Sequence, residues 1–235
     1  RSVFALPVIL AWLAVRGDLR TGLKAASPMG HFWRGFVGTA AMGLGFAGLG
    51  LLPLPEVTAI GYAAPLMTVI LAAMFLGEQV RLFRLGAVAL GMVGVLIVLG
   101  PRLSAFSGDT VEKTAALGAM LVLTGALCAA LAQIYIRKLV QSEQTSAIVF
   151  YFSVTSASLS LLTLPFGWVL PTGQEAAFLV LAGLLGGMGQ IFLTSAYRFA
   201  PASVVAPFDY ASMLFAILIG MFFFNEIPDL RTIGG

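Results

Sequence analysis

The sequence predicts an all-α integral membrane protein, and three observations carry the prediction. Apolar residues greatly outnumber charged ones, the apolar runs have the length of membrane-spanning helices, and the basic residues alternate between two sets of connectors. Hydrophobic residues make up 60% of the 235 and charged residues 10%, against about 45–50% and about 25% in a soluble domain. Mean hydropathy is +1.01. So few charges cannot cover a water-soluble body of this size, which excludes an ordinary cytosolic enzyme and a disordered chain. The net charge is only +3 and forms no basic patch, so no nucleic-acid partner is expected. The single cysteine, Cys128, rules out an intrachain disulfide framework.

A spanning helix needs about 20 mostly apolar residues. Reading between charge clusters gives eight candidates, at 2–15, 32–52, 56–77, 82–100, 114–136, 146–170, 176–197 and 202–224. The first is short and opens directly after Arg1. It has no small-residue cleavage site leading into a soluble domain, so it reads as the end of a spanning helix rather than a signal peptide. The second starts at His31, Phe32 and Trp33, an aromatic belt at a helix start. The third closes at Glu78. The fourth lies between Arg81 or Arg84 and Arg102, the fifth between Lys113 and Arg137-Lys138. The sixth runs into a connector without Lys or Arg, the seventh stops at Arg198, and the eighth ends near Glu226. These runs are too long for strands and lack polar alternation, which argues against a β-barrel. The longest connector, 101–113, is too short to fold alone.

Orientation follows from Lys and Arg. One set of connectors holds Arg16, Arg20, Lys24, Arg81, Arg84, Arg137, Lys138 and Arg198, with Arg34 just inside a span. The other holds Arg1, Arg102, Lys113 and Arg231. The split alternates correctly across eight spans and puts the first set in the cytoplasm.

Sliding the chain by 148 residues aligns 35–86 with 183–234 without a gap. Gly35 meets Gly183, Gly38 meets Gly186, Pro53 meets Pro201, Tyr62-Ala63 meets Tyr210-Ala211, and Glu78 meets Glu226. Eleven of the 52 positions are identical; matched Ala or Leu would mean little in apolar segments, but paired Pro, Tyr and Glu at one offset do. The offset divides the chain into a first repeat, 1–101, lacking its first helix, and a second, 114–235, lacking its last. The expected parent has ten helices in two repeats of five, of which about eight are present in this fragment. Five is odd, so the repeats are inverted, as in many transporters.

The stretches "LPLPEVTAIGYAAPLMTVILAAMFLGEQV" (52–80) and "APASVVAPFDYASMLFAILIGMFFFNE" (200–226) resemble the EamA family of the drug/metabolite transporter superfamily. The resemblance covers essentially the whole chain. It implies a ten-helix, multi-pass carrier of small organic metabolites in the bacterial inner (plasma) membrane. It also implies a central cavity lined by the first, third, fourth, sixth, eighth and ninth helices of the ten.

Residues that could carry a solute follow. Asp209, in "VVAPFDYASMLF", is an acid well inside an apolar run. A carboxylate there costs roughly 2.5–3.5 kcal/mol at a helix centre and needs a partner, a wet cavity or substrate. Such a group can exchange a proton for a cation, and Arg198, one helix back, is a conceivable partner. Gln133 and Tyr135 lie in 114–136, Gln190 and Thr194 in 176–197, and Tyr62 and Tyr210 are repeat mates. Their amides, hydroxyls and rings can orient an organic ligand or a cation, and each can equally serve as interhelical glue. Pro65 and Pro207 free backbone carbonyls inside spans and are hinge candidates. Glu78 and Glu226 mark helix ends, where the dipole disfavours a carboxylate. Each should bond free N–H groups or pair with Arg81, Arg84 or Arg231; a gate latch is the alternative. Gly35, Thr39, Gly43 and Ala47, with Gly183 and Gly187 and with Ala87 and Gly91, form small-residue stripes for close packing or sliding.

A secondary-active transporter working by alternating access fits these features. The partners are a small-molecule substrate (amino acid, vitamin, nucleoside-like or small cationic compound), the lipid bilayer, and a proton or other coupling ion; a homodimer is an open possibility. No cofactor and no metal is expected, since there is one His, no H-E-x-x-H and no C-x-x-C, and no G-x-x-x-x-G-K-[ST] loop binds ATP. No Lys or Arg sits deep in a span, which disfavours phosphate-bearing solutes. The alternative is a non-transporting membrane protein, either scaffold or enzyme. An aspartyl protease would need a second deep acid, and no G-x-S-x-G elbow is present.

Overall fold

The computed structural model describes residues 2–19, 21–104, 110–212 and 215. Among these, regular structure is helical: α1 (Ser2–Arg16), α2 (Pro28–Leu49), α3 (Leu54–Gly61), α4 (Ala63–Leu76), α5 (Leu82–Ser104), α6 (Thr110–Leu139), α7 (Thr145–Leu161), α8 (Gly173–Phe199) and α9 (Ala202–Val205), with 3₁₀ turns at Leu164–Phe166 and Ala206–Tyr210. The stretches Glu56–Leu76, Lys113–Leu139 and Gly173–Phe199 are long and apolar enough to cross a membrane. Large apolar side chains face outward, with Val15, Phe83, Val169 and Leu170 all at least 88% exposed. Lipid, not water, tolerates such a surface. The protein is therefore an all-α integral membrane protein.

Local chemistry sets the helix ends. Pro28 opens α2 at a position whose N–H would have no intrahelical acceptor. Thr172 and Glu175 form a reciprocal capping box that starts α8. Gly77 ends α4 in the left-handed region, at φ 64°, and the next N–H, of Glu78, closes back on the Ala72 carbonyl at 3.3 Å.

Three expected spans differ from what folds. The run 56–77 is two helices, broken at Tyr62. Pro65 falls in the first turn of α4, where its missing N–H costs nothing, and it denies the Gly61 carbonyl an acceptor role across the break. The run 146–170 stops at Leu161, because Ser160 and Thr163 hydroxyls take the Ser156 and Ser160 carbonyls at 2.8 and 2.7 Å and Pro165 follows. The run 202–224 is α-helical only over α9, then 3₁₀ from Ala206 through Pro207. Its remainder from 216, with Glu226, lies outside the described residues.

The chain forms two compact units, Arg1–Gly43 with Cys128–Ala202, and Leu44–Leu127 with Ser203–Gly235. Each unit draws on both 1–101 and 114–235. In the first, α1, α7 and α8 pack on one another around Ile9, Leu13, Val149 and Ile191. Gly187 lets α8 approach α1 until a Cβ there would lie 3.0 Å from the Ala5 Cα. The basic end of this unit is stitched together by backbone caps. Glu143 accepts the N–H groups of Ala26 and Ser27 at 2.7 and 2.6 Å and faces His31 at 3.4 Å. Ser146 and Tyr151 hydroxyls donate to the carbonyls of Gly22 and Leu23 at 2.6 and 3.1 Å. In the second unit α4 packs on α5 and on the Ala206–Tyr210 turn, and α3 packs on α5. Leu52, Ile60, Ala119 and Val122 form its core cluster.

Candidate functional site

Polar side chains gather in two places, one in each unit. In the first unit, α8 lines up Gln190, Thr194 and Tyr197 at spacings of four and three, which puts them on one helix face. Thr194 and Tyr197 are fully buried. The Tyr197 hydroxyl donates to Gln133 Oε1 on α6, and Arg137, one turn along α6, donates from Nη1 to the Tyr197 carbonyl at 2.8 Å. Gln190 Oε1 accepts from Arg34 Nη2 of α2 at 2.9 Å. Three of the sequence-nominated residues, Gln133, Gln190 and Thr194, thus share one cluster. Tyr135 is two residues from Gln133, about 200° around the helix, and is half-buried away from that face.

Arg34 is the member that sequence reasoning missed as a solute-site residue, and it corrects the expectation that no Lys or Arg reaches deep into a span. It is 3% exposed. Its guanidinium runs forward along α2 into a slot. A Cβ on Gly38 would lie 2.5 Å from Nη1 and 3.0 Å from the Phe152 ring, and that ring lies 3.8 Å beneath Cζ. Gly38 is ten residues past the start of α2, roughly 15 Å along the axis. The Cα of Arg34 is near the helix start, but its charge is not. The signal available in sequence was a lone Arg four residues before a glycine in an apolar run.

The second unit holds the repeat-related tyrosines. Tyr210 donates its hydroxyl to the Tyr62 carbonyl at 2.9 Å, and the two rings lie 5.3 Å apart. The Ser212 hydroxyl donates to the Asp209 carbonyl at 2.5 Å, which makes Tyr62 the donor in its 3.4 Å contact with Ser212. Tyr62 sits at the α3–α4 break and Tyr210 ends the 3₁₀ turn, so both repeats interrupt their helix at the same register. Asp209 is half-buried beside Tyr210, and Pro207 is exposed. Arg198 is in the first unit, where it donates to the Thr145 hydroxyl at 3.2 Å and to the Glu143 carbonyl. Glu78 Oε2 accepts from Ser203 N at 2.9 Å, in the first turn of α9, and Arg84 Nη1 lies 3.4 Å from the Ser203 hydroxyl.

The small-residue stripes divide in the same way. Gly35 abuts Thr155 and Gly91 abuts Leu66, whereas Gly43 faces open space. A cavity of about 360 Å³ opens at the basic end of the first unit, lined by Trp12, Arg16, Thr145, Ser195 and Arg198. Among the described residues no cluster of three His, Cys, Asp or Glu side chains could hold a metal.

Comparison with known proteins gives this geometry a context. A model of the EamA-like transporter family matches residues 1–100 and 116–235. The S-adenosylmethionine uptake transporter of Rickettsia prowazekii (strain Madrid E) is 27% identical over all of this chain and 76% of its own length. The pseudopaline exporter CntI of Pseudomonas aeruginosa (strain UCBPP-PA14) is 30% identical over 86% of this chain and 69% of its own. A solved crystal structure superposes with a TM-score of 0.74 over 99% of this chain and 79% of its own, at 21% identity, and shows the fold. These similarities mark a membrane transporter rather than an enzyme.

Proposed function

The chain belongs to the EamA-like transporter family, and from that premise we propose that it is a secondary-active carrier of small organic metabolites in a bacterial plasma membrane, working by alternating access. The observation that carries the reading is the line of buried polar groups on α8, α6 and α2 inside otherwise apolar helices. Buried polar groups in lipid-embedded helices are costly and mark solute paths. Solutes like S-adenosylmethionine, the substrate in one relative's name, head the expected class, because that molecule is at once an amino acid, a nucleoside and a cation. An ion gradient or the solute's own gradient supplies the energy, since the chain has no ATP-binding loop.

Movement falls to the second unit. Tyr62 and Tyr210 are 148 positions apart, the repeat offset, and they touch. Residues related by a two-fold operation meet only at its axis. An inverted pair of 1–101 and 114–235 would then exchange conformations about that point, with the breaks near Pro65 and Pro207 as hinges.

The test is counterflow in proteoliposomes of the full-length protein. Labelled S-adenosylmethionine on one side should exchange faster when unlabelled solute is loaded on the other. If no solute in a panel of amino acids, vitamins, nucleosides and small cations exchanges, the carrier reading is wrong. Asp209→Asn should slow exchange by about tenfold and flatten its dependence on pH between about 5 and 8. An unchanged profile would remove Asp209 from ion coupling.

A further inference from the structure

Arg34 carries a charge that its packing leaves unanswered. Arg16 faces Asp18 at 3.7 Å, Arg137 donates to a carbonyl, and Arg198 donates to a hydroxyl and a carbonyl. Arg34 is more buried than any of these, yet its hydrogen-bond partner is the neutral amide of Gln190, and Nε and Nη1 have none. No carboxylate lies within ion-pair distance of it among the described residues. The Thr194 hydroxyl, one turn along α8 from Gln190, is also buried and unpartnered. A buried cation without a counter-charge is expensive in any protein and more so in a bilayer. The slot is nonetheless built for it, with Gly38 giving room, the Phe152 face giving cation–π contact, and Gln190 fixing one edge of the fork.

We infer that Arg34 is the anion anchor of the transported solute: its guanidinium takes a carboxylate, and Thr194 supplies a second hydrogen bond. The inference rests on the carrier reading and narrows it to carboxylate-bearing solutes. The planar guanidinium matches a carboxylate in shape and in charge. A phosphate dianion would leave one negative charge unpaired in a dry site. A solute that is only cationic would be repelled. The Gly38 vacancy is then part of the site, because a Cβ there would push Nη1 off its line.

Matched pairs that differ only in the carboxylate provide the test: S-adenosylmethionine with its decarboxylated form, and amino acids with their decarboxylated amines. Binding is read by thermal shift of the full-length protein and transport by counterflow. The wild type should favour the carboxylate member of each pair, and Arg34→Gln should reduce that preference by about tenfold or more while still accepting the decarboxylated member. Gly38→Ala, which keeps the charge but displaces it, should reduce the preference in the same direction. Arg34→Gln can fail to fold, and in that case Gly38→Ala decides. A preference retained in either folded variant overturns the inference. So does wild type that binds no carboxylate while exchanging cations, an outcome that leaves the carrier reading standing. Carboxylate binding that depends on Arg34 without any exchange keeps the anchor and removes the carrier.

Discussion

The two units spend their polar groups differently. The first joins continuous helices through side chains that end in charged or amide groups: Glu143 to two backbone N–H groups, Arg34 to Gln190, Tyr197 to Gln133. The second joins broken helices through tyrosines and short turns at Tyr62 and Tyr210. A continuous helix has its backbone satisfied internally, so its side chains are free to form a fixed polar cluster. A broken helix must satisfy backbone groups from outside, and a tyrosine hydroxyl on a carbonyl does so with a contact that a small rotation can break. Under the proposed function, the first unit recognises and the second moves.

The strongest challenge to that contrast is Glu143. It is 4% exposed and ties the start of α2 to the α6–α7 connector. Glu143→Gln should cost about 1–3 kcal/mol, because two charge-assisted bonds from buried N–H groups become neutral ones. Glu78 performs a similar task in the second unit, but half-buried and on the four-residue α9. Glu78→Gln should cost about 1 kcal/mol, the usual price of a helix cap. Melting of both variants in detergent checks the pair. Equal losses would mean that the units are equally rigid.

Glycine packing gives a smaller and cleaner comparison. Gly187→Ala places a methyl 3.0–3.2 Å from Ala5 backbone and Cβ atoms, and backbone cannot step aside as a side chain can. A cost of about 1–3 kcal/mol is expected. Gly43→Ala, where an added Cβ faces open space, should be neutral or stabilise by up to about 1 kcal/mol through helix propensity. Thermal unfolding of the two variants side by side is the measurement. A destabilising Gly43→Ala would show that the α2 stripe is a packing surface along its whole length.

Much of this was legible in the sequence, for a physical reason. A bilayer demands long apolar helices, and their ends must be charged or capped, so α1, α5, α6 and α8 could be located from Arg16, Arg81, Lys113, Arg137 and Arg198. Gln133, Gln190 and Thr194 stood out because each interrupts an apolar run. What hydropathy does not record is backbone geometry and side-chain direction. The break at Tyr62 leaves the run 56–77 as apolar as an unbroken helix. The end of α7 depends on Ser160 and Thr163 turning back on their own carbonyls. Arg34 looked peripheral because its Cα is, and only the slot between Gly38 and Phe152 carries its charge inward.

Tyr210 bears a modest effect on stability, and there the contrast can be sharpened most. Tyr210→Phe keeps the ring, 5.3 Å from that of Tyr62, and removes only the hydroxyl that bonds the Tyr62 carbonyl at 2.9 Å. The stability loss should be about 0.5–1.5 kcal/mol. If the contact holds one conformation of the carrier, losing it changes the rate of interconversion and leaves the proposed solute site in the first unit untouched. Counterflow should then show an altered maximal rate with an unchanged half-saturation concentration, as expected when a conformational step limits turnover. Tyr62→Phe should do less, because its hydroxyl reaches Ser212 across 3.4 Å in an exposed position. A raised half-saturation concentration with an unchanged maximal rate in Tyr210→Phe would place the tyrosines among the solute's contacts, and recognition and movement would no longer divide between the two units.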